Sequence, residues 1–162
     1  WGPDTIAKKM AESVTDIAVA CMIIGFSRGI LVVLQSGHII DTIVYGISIP
    51  LGKFPAWIAS EAMLVVQTLL NFLIPSGSGQ AVTSMPIMAP LADLIGVSRQ
   101  VSVLAFQFGD GLSNIIWPTA MAPIMCGIAG VKIEKWWKLI VPIFFALILT
   151  QGVLIAIATV VF

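Results

Sequence analysis

Charged side chains are scarce in this sequence of 162 residues, of which they make up 10%, whereas soluble domains average about 25%. Hydrophobic residues make up 59%, and the mean hydropathy is +1.06. A water-soluble fold of this length could not bury so much apolar surface, so the composition predicts a protein embedded in a lipid bilayer. The eight basic and eight acidic residues balance, so no excess charge points to a nucleic-acid partner.

Cysteine and histidine are also rare. Cys21 and Cys126 lie in apolar stretches, and His38 is the only histidine. This excludes zinc sites of the Cys/His type, because no metal-ligand spacing is present. Both cysteines are predicted to be small buried hydrophobes, and His38 is predicted to be interfacial. No signal peptide is visible, and the first residue is Trp1, so we expect a fragment of a longer protein.

The gaps between the charges predict the spanning segments. Residues 139–162 carry no charge and exceed the about 20 apolar residues that cross a bilayer. Trp136, Trp137 and several lysines precede them, as at a membrane–water interface. We therefore predict a transmembrane helix over about 137–161.

Two further helices are predicted near the beginning of the chain. Ser13–Leu34 is apolar apart from Asp16 and Arg28, and predicts a first spanning helix. Ile39–Leu51 is too short to span and mixes polar with apolar residues, which predicts a helix that lies in the interface or links two bundles. For Arg28, and for Glu61 in the next apolar segment, a structural ion pair or an interfacial position is favoured over a substrate role.

An uncharged turn interrupts the next apolar segment. Ala56–Ile74 stops at Pro75–Gln80, which contains two glycines and two serines, and a second apolar arm, Ala81–Ile95, follows. That arm would reach only about 20–24 Å, short of the roughly 30 Å hydrocarbon core. We therefore predict a re-entrant helical hairpin whose tip lies within the membrane, where it is buried in protein or lines a hydrated cavity.

A second interruption follows further along the chain. Gly109–Asn114 places Asp110 between two glycines inside an apolar stretch, which predicts a discontinuous helix that restarts near Thr119 and runs to Gly127. Burying a charge in lipid costs several kcal/mol. Asp110 is therefore predicted to bind a cation, a proton or a basic substrate group, and the alternative is an acid paired to a neighbour for stability.

Both interruptions offer ligands for a small charged molecule. The amides of the helix that begins near Gln80 favour a carboxylate, while free carbonyls and side-chain oxygens favour a hard cation such as sodium. The alternative is that the glycines and serines only allow close packing, and that the polar residues after Asp110 are helix caps. The candidate substrate- or ion-binding residues are Asn71, Ser76, Gly77, Ser78, Gly79, Gly109, Asp110, Ser113, Asn114 and Thr119. The candidate sodium ligands are Ser78, Asp110 and Asn114.

Three stretches, Asn71–Ala81, Met85–Asp93 and Leu104–Gly111 with Ser113–Asn114, carry a resemblance to a known family. They resemble the YfcC family of basic amino acid antiporters, also labelled C4-dicarboxylate anaerobic carriers, within the ion transporter superfamily. The resemblance implies a fold of two inverted repeats, each with a re-entrant hairpin and a broken helix, and substrate bound between the hairpin tips. It implies that Ser76–Gly79 is the outward hairpin tip.

The resemblance also implies how the chain is completed. The broken-helix loop of the second repeat would contain Asp110, Ser113, Asn114 and Thr119. The chain would be the C-terminal part of a homodimeric transporter whose N-terminal repeat lies elsewhere. The tip lacks the Ser-Asn-Thr triplet of the dicarboxylate/sodium symporters of the superfamily, so their sodium sites do not transfer directly.

Residues 1–55 are predicted to hold the first transmembrane helix and the linker helix, 56–128 the transport unit, and 129–162 the C-terminal transmembrane helix. Clustered lysines predict that the first and last helices both begin on the cytoplasmic side of a bacterial inner membrane, in a multi-pass protein. The predicted function is secondary active transport of a small carboxylate-bearing metabolite, an amino acid or a C4-dicarboxylate, by alternating access. Sodium or a proton is the expected coupling ion, and no other cofactor is expected.

Two other classes of function are alternatives to transport. A channel-like or structural membrane subunit would lack coupling to an ion gradient. An intramembrane protease needs either a serine–histidine pair or two carboxylates that share a proton. His38 stands alone in a linker, and no second acid sits in a span comparable to that of Asp110. The sequence therefore predicts no enzymatic activity.

Overall fold

The computed structural model describes residues 2–162 as an all-helical protein. The helices of the described part are α1 (Pro3–Ser36), α2 (Ile39–Leu51), α3 (Ala56–Leu73), α4 (Gly77–Leu94), α5 (Arg99–Ser113), α6 (Met121–Ile128) and α7 (Ile133–Val161). The side chains outside the described part are those of Thr15, Asp16, Ile17, Val19, Ala20, Ile23, Ile24, Ser27, Leu31, Ile47 and Ser48. No strand occurs between residues 2 and 162, which confirms the predicted all-α class.

Two helices of the described part, α3 and α7, are long and apolar enough to cross a membrane. A third candidate span is a bent pair of helical segments. Arg28–Ser36 and Ile39–Leu51 are long and apolar enough only when taken together, and their axes differ by 78°. The predicted first span, Ser13–Leu34, lies within α1 but includes residues whose side chains are outside the described part. The short second helix has the bounds that the sequence predicted.

The junction of α1 and α2 lies at His38, whose φ of 52° is in the left-handed region. Histidine adopts this region more readily than most side chains. The exposed ring lies 3.3 Å from the carboxylate of Asp41. Cys126 is buried as predicted, but Cys21 is exposed, so that prediction is wrong. The reason is that α1 packs mainly on α2 and α6 and lies at the edge of the helix assembly.

α3 and α4 form a helical hairpin with a very short tip. α4 begins at Gly77 rather than at Ala81, because the Ser76 hydroxyl accepts a hydrogen bond from the Gly79 amide (3.3 Å) and caps the first turn. The 18 residues of α4 span about 27 Å, more than the sequence predicted. The arm is therefore close to the thickness of the hydrocarbon core, and its length alone does not require a tip inside the membrane.

The turn between α4 and α5 carries an exposed ion pair, as expected for a return to water. Arg99 Nη2 lies 2.6 Å from Asp93 Oδ2, and Arg99 Nε donates to both carboxylate oxygens. This hydrogen bonding lowers the pKa of Asp93 from its ordinary value. The pair therefore contributes fully above that ordinary value, and its contribution is lost only as the pH falls through the lowered pKa.

α5 runs beside α3 in the same direction, because it starts at the open end of the hairpin and reaches the tip at Asp110. Gly109 allows this approach: a Cβ atom there would lie 2.7 Å from Gln67 Cβ and 2.8 Å from the Thr68 amide nitrogen. The helix continues through Gly109, and the break extends from Asn114 to Ala120. The sequence placed the break too early, because Gly109 serves helix packing and does not end the helix.

Indole groups satisfy free carbonyls around this break. Trp136 Nε1 donates to the Ile115 carbonyl (2.8 Å), and Trp137 Nε1 donates to the Ile116 carbonyl (2.9 Å). The indole of Trp117, within the break, donates to the Thr68 carbonyl of α3 (2.8 Å). Unwound backbone in a membrane requires such partners, so the start of α7 stabilises the break directly.

Trp136→Phe and Trp137→Phe are each expected to lower the free energy of unfolding by about 1 kcal/mol, the usual net value of one hydrogen bond. The double variant should be less stable than either single variant, and the two effects should not simply add, because the indoles bond adjacent carbonyls of one break. Denaturation in detergent micelles measures both. Unchanged stability of the double variant would show that water satisfies the Ile115 and Ile116 carbonyls equally well.

Candidate functional site

The Asp110 side chain joins the three helices at the hairpin tip. It is 7% exposed, and its Oδ1 accepts a hydrogen bond from Asn71 Nδ2 of α3 at 2.6 Å. A Cβ atom at Gly77, the first residue of α4, would lie 2.8 Å from Asp110 Oδ2. Gly77 therefore leaves the space in which the carboxylate sits against the first turn of α4.

The first turn of α4 has unused hydrogen-bond donors. The backbone N–H groups of Gly77 and Ser78 bond to none of the described residues, as expected at a helix N-terminus. The Ser78 side chain is exposed, and its hydroxyl has no partner in the described part of the chain. The Ser76 hydroxyl, by contrast, is used as the helix cap. This turn favours an anionic ligand.

A buried amide cluster lies behind the tip. Gln80 Nε2 donates to both the backbone carbonyl and the Oε1 of Gln67 (2.8 Å each), and the Ser84 hydroxyl donates to the same Oε1 (3.1 Å). Gln67 Nε2, Gln80 Oε1 and Asn71 Oδ1 are buried and have no partner among the described residues. Buried polar groups are normally satisfied, so these atoms are available to a ligand, an ion or water.

The polar residues after Asp110 mainly bond to backbone. Ser113 Oγ donates to the Gly109 carbonyl (2.5 Å), and Asn114 Nδ2 donates to the Asp110 carbonyl (2.9 Å). Thr119 Oγ1 donates to the Phe72 carbonyl at the end of α3 (2.8 Å). The Thr119 bond ties the break to the hairpin, and the single side-chain oxygen of Asn114 bonds to none of the described residues.

The structure thus brings some of the predicted site residues together and separates others. Asn71, Gly77 and Asp110 lie together, whereas the Ser78 side chain is exposed and makes no contact with Asp110 that the structure records. No group of three or more histidine, cysteine or acidic side chains lies together in the described part. Arg28 and Glu61 form no ion pair with described residues, and the interfacial position expected as the other possibility for each stays a prediction.

Sequence reasoning missed the amide cluster and the three indole donors. Gln67, Gln80 and Ser84 are uncharged and lie in apolar helices, so a search for interruptions and charges passed over them. A signal was present, because Gln67 and Asn71 are four residues apart and share one face of α3. The pattern could not show that Gln80, beyond the tip, would meet that face.

An apolar cavity of about 570 Å³ lies beside α6. Its lining includes Met121, Met125, Cys126, Trp136 and Asn114. A charged metabolite would find no partner on these apolar walls. The Asp110 region is therefore the better candidate for a polar substrate.

Comparison with known proteins identifies the family. The family model described as "C4-dicarboxylate anaerobic carrier" matches residues 4–160, nearly the whole chain. The chain belongs to the C4-dicarboxylate anaerobic carrier family. This confirms the resemblance seen in the stretches around the two interruptions, and it places the chain among membrane transporters. No solved structure shows a significant match.

Individual relatives agree with the family assignment. The chain is 39% identical over 142 residues to "Putative basic amino acid antiporter YfcC" of Escherichia coli K12, covering 83% of this chain and 28% of that protein. It is 32% identical over 152 residues to an "Uncharacterized protein" of Haemophilus influenzae, covering 94% of this chain and 30% of that protein. A "Putative short-chain fatty acid transporter" of E. coli K12 matches 66 residues at 33% identity, 41% of this chain and 15% of that protein. The chain therefore spans less than a third of the length of these relatives.

Proposed function

We propose that this chain forms part of an ion-coupled secondary transporter that moves an amino acid across the bacterial inner membrane by alternating access. The observation that carries the proposal is the Asp110 carboxylate, held by Asn71 against the first turn of α4. A fixed negative charge thus lies beside a helix N-terminus with unused amides. Positive and negative substrate groups would find partners within one turn of each other.

This arrangement favours an amino acid over a C4-dicarboxylate. The ammonium group of an amino acid, at the α position or on a basic side chain, would bind Asp110. Its carboxylate would bind the N–H groups of Gly77 and Ser78 and the free Ser78 hydroxyl. A dicarboxylate would be repelled by Asp110 unless a cation or proton lay between them. The name of the E. coli antiporter is consistent with this choice.

The coupling ion is proposed to be sodium or a proton. The Asp110 carboxylate and the unpartnered Asn71 Oδ1 are oxygen ligands of the kind a hard cation prefers. Ser78 and Asn114 would complete such a site only if their side chains turned towards Asp110. In this proposal the lysine clusters that precede the first and last helices face the cytoplasm, and a second repeat and a second protomer complete the transporter.

Counterflow in proteoliposomes that contain the complete protein tests the proposal. Vesicles loaded with an unlabelled amino acid should accumulate the same labelled amino acid, and vesicles loaded with succinate should not accumulate labelled succinate. Accumulation of succinate alone would overturn the amino acid assignment. Downhill flux without counterflow or dependence on an ion gradient would instead favour the channel-like alternative.

Ser78→Ala and Ser76→Ala form a matched pair at the tip. Ser78→Ala is expected to weaken apparent substrate affinity by about 1.5 kcal/mol, roughly tenfold, with little change in stability. Ser76→Ala is expected to lower the free energy of unfolding by about 1 kcal/mol through loss of the helix cap. Transport assays over a range of substrate concentrations and denaturation in detergent measure the two effects. If Ser78→Ala left affinity unchanged, Ser78 would have no part in binding.

A further inference from the structure

A second carboxyl group lies away from the Asp110 site, in the interface between α3 and α7. Glu61 is half-buried on α3, and a Cβ atom at Gly152 of α7 would lie 3.0 Å from Glu61 Oε2. Gly152 is near the middle of the uncharged run 139–162. α3 and α7 are also the two described helices that are long and apolar enough to cross a membrane. The Glu61 carboxyl group is therefore held at the depth of the hydrocarbon region.

No positively charged side chain of the described residues pairs with Glu61. It forms no hydrogen bond or ion pair with any residue that the structure describes. The arginine on the helices packed on α3 is Arg99, which is paired with Asp93. The titratable side chains on the helices that pack against α3 are Asp41, Tyr45, Asp93, Arg99, Asp110, Glu134, Lys135 and Lys138. None of these side chains is bonded to Glu61.

The polar groups of this interface suit a proton better than a metal ion. The Thr159 hydroxyl already bonds Ser60 Oγ (2.9 Å) and the Ile155 carbonyl (2.8 Å). Gln151, next to Gly152 along the chain, faces α5 instead: its Nε2 donates to the Phe108 carbonyl (3.4 Å). A hard cation takes several oxygen ligands, whereas a protonated carboxyl group is neutral and needs only one acceptor for its O–H group. The neutral form also avoids the cost of a charge in hydrocarbon.

We propose that Glu61, packed against Gly152 between α3 and α7, is a proton-binding site separate from the Asp110 site. The carboxylate takes a proton from water on one side of the membrane and becomes a neutral carboxylic acid, and it returns the proton to water on the other side. In this way Glu61 carries a coupled proton in addition to the ion bound at the Asp110 site, a role that rests on the transport function proposed above. The proton-binding site itself does not depend on that function.

Infrared spectroscopy of the complete protein in lipid tests the site without any transport assay. At neutral pH the wild type should show the C=O stretch of a protonated carboxylic acid, and the band should shift on exchange into D₂O. Glu61→Gln, which has nearly the same shape as the neutral acid, should lose this band. Asp110→Asn should keep it. A band that survives in Glu61→Gln, or the absence of any such band from the wild type, would overturn the proposal.

The coupling role has a separate readout. A pH-sensitive dye inside proteoliposomes should report proton movement during uptake by the wild type, and Glu61→Gln should exchange substrate with that signal lost. Glu134→Gln is the control. It removes an acid from the first turn of α7, far along the helix from Gly152, and should keep the signal. Uptake by Glu61→Gln with a normal proton signal would overturn the coupling role. If no variant transported anything while the infrared band still depended on Glu61, the proton site would stand and the transport function would fall.

Discussion

Asp110→Asn is expected to abolish ion-coupled transport and to leave the yield of folded protein nearly unchanged. The asparagine has the shape of the aspartate, and its amide oxygen can still accept the hydrogen bond from Asn71 Nδ2 that the carboxylate accepts at 2.6 Å. Only the negative charge is lost. A charged hydrogen bond contributes about 1.5–3 kcal/mol, so an ammonium group or cation at this position should bind roughly ten- to a hundredfold more weakly.

Substrate affinity and ion dependence of the reconstituted complete protein measure this effect. Asp93→Asn is the matched control: it also removes one acid from the hairpin region, but at the exposed end, where Asp93 pairs with Arg99. That variant should transport normally. Normal transport by Asp110→Asn, with unchanged ion dependence, would mean that Asp110 only stabilises the helix packing, and the assignment of the site would be wrong.

The features that the sequence predicted well are those set by local pattern. The uncharged run before the C-terminus and the proline-glycine-serine turn at Pro75–Gln80 correspond to α7 and to the hairpin tip. The contrast between apolar and charged residues determines such elements, because lipid tolerates few exceptions. The short helix Ile39–Leu51 was predicted with its observed bounds for the same reason.

The features that the sequence missed depend on contacts between distant segments. In isolation Gly109 predicts a helix break. In the structure it allows α5 to pack closely against Gln67 and Thr68 of α3. Trp136 and Trp137 read as interfacial anchors, and the structure adds their bonds to carbonyls of the break some 20 residues earlier. Periodicity carries no information on which partner such a residue meets, so these roles emerge only from the packing.

Gly109→Ala is expected to destabilise the protein by about 1–3 kcal/mol, the usual cost of overpacking a tight interface. In a solvent-exposed helix this change would stabilise by about 1 kcal/mol, because alanine is the better helix former. The steric effect should win here: the new Cβ would lie 2.8 Å from the backbone nitrogen of Thr68 and 3.0 Å from the backbone carbon of Gln67. Backbone atoms in the middle of α3 cannot turn aside as a flexible side chain can.

Gly111→Ala supplies the matched control, since it lies in the same helix and on the other side of Asp110. A Cβ atom at Gly111 would meet only the end of the Gln107 side chain, at 4.0 Å. That variant should therefore gain stability by up to about 1 kcal/mol. Denaturation of the two variants in detergent should give shifts of opposite sign. Gly109→Ala should also lose transport, because moving α5 away from α3 separates Asp110 from Asn71. Equal shifts in the two variants would show that α3 and α5 are not in the close contact on which the Asp110 site depends.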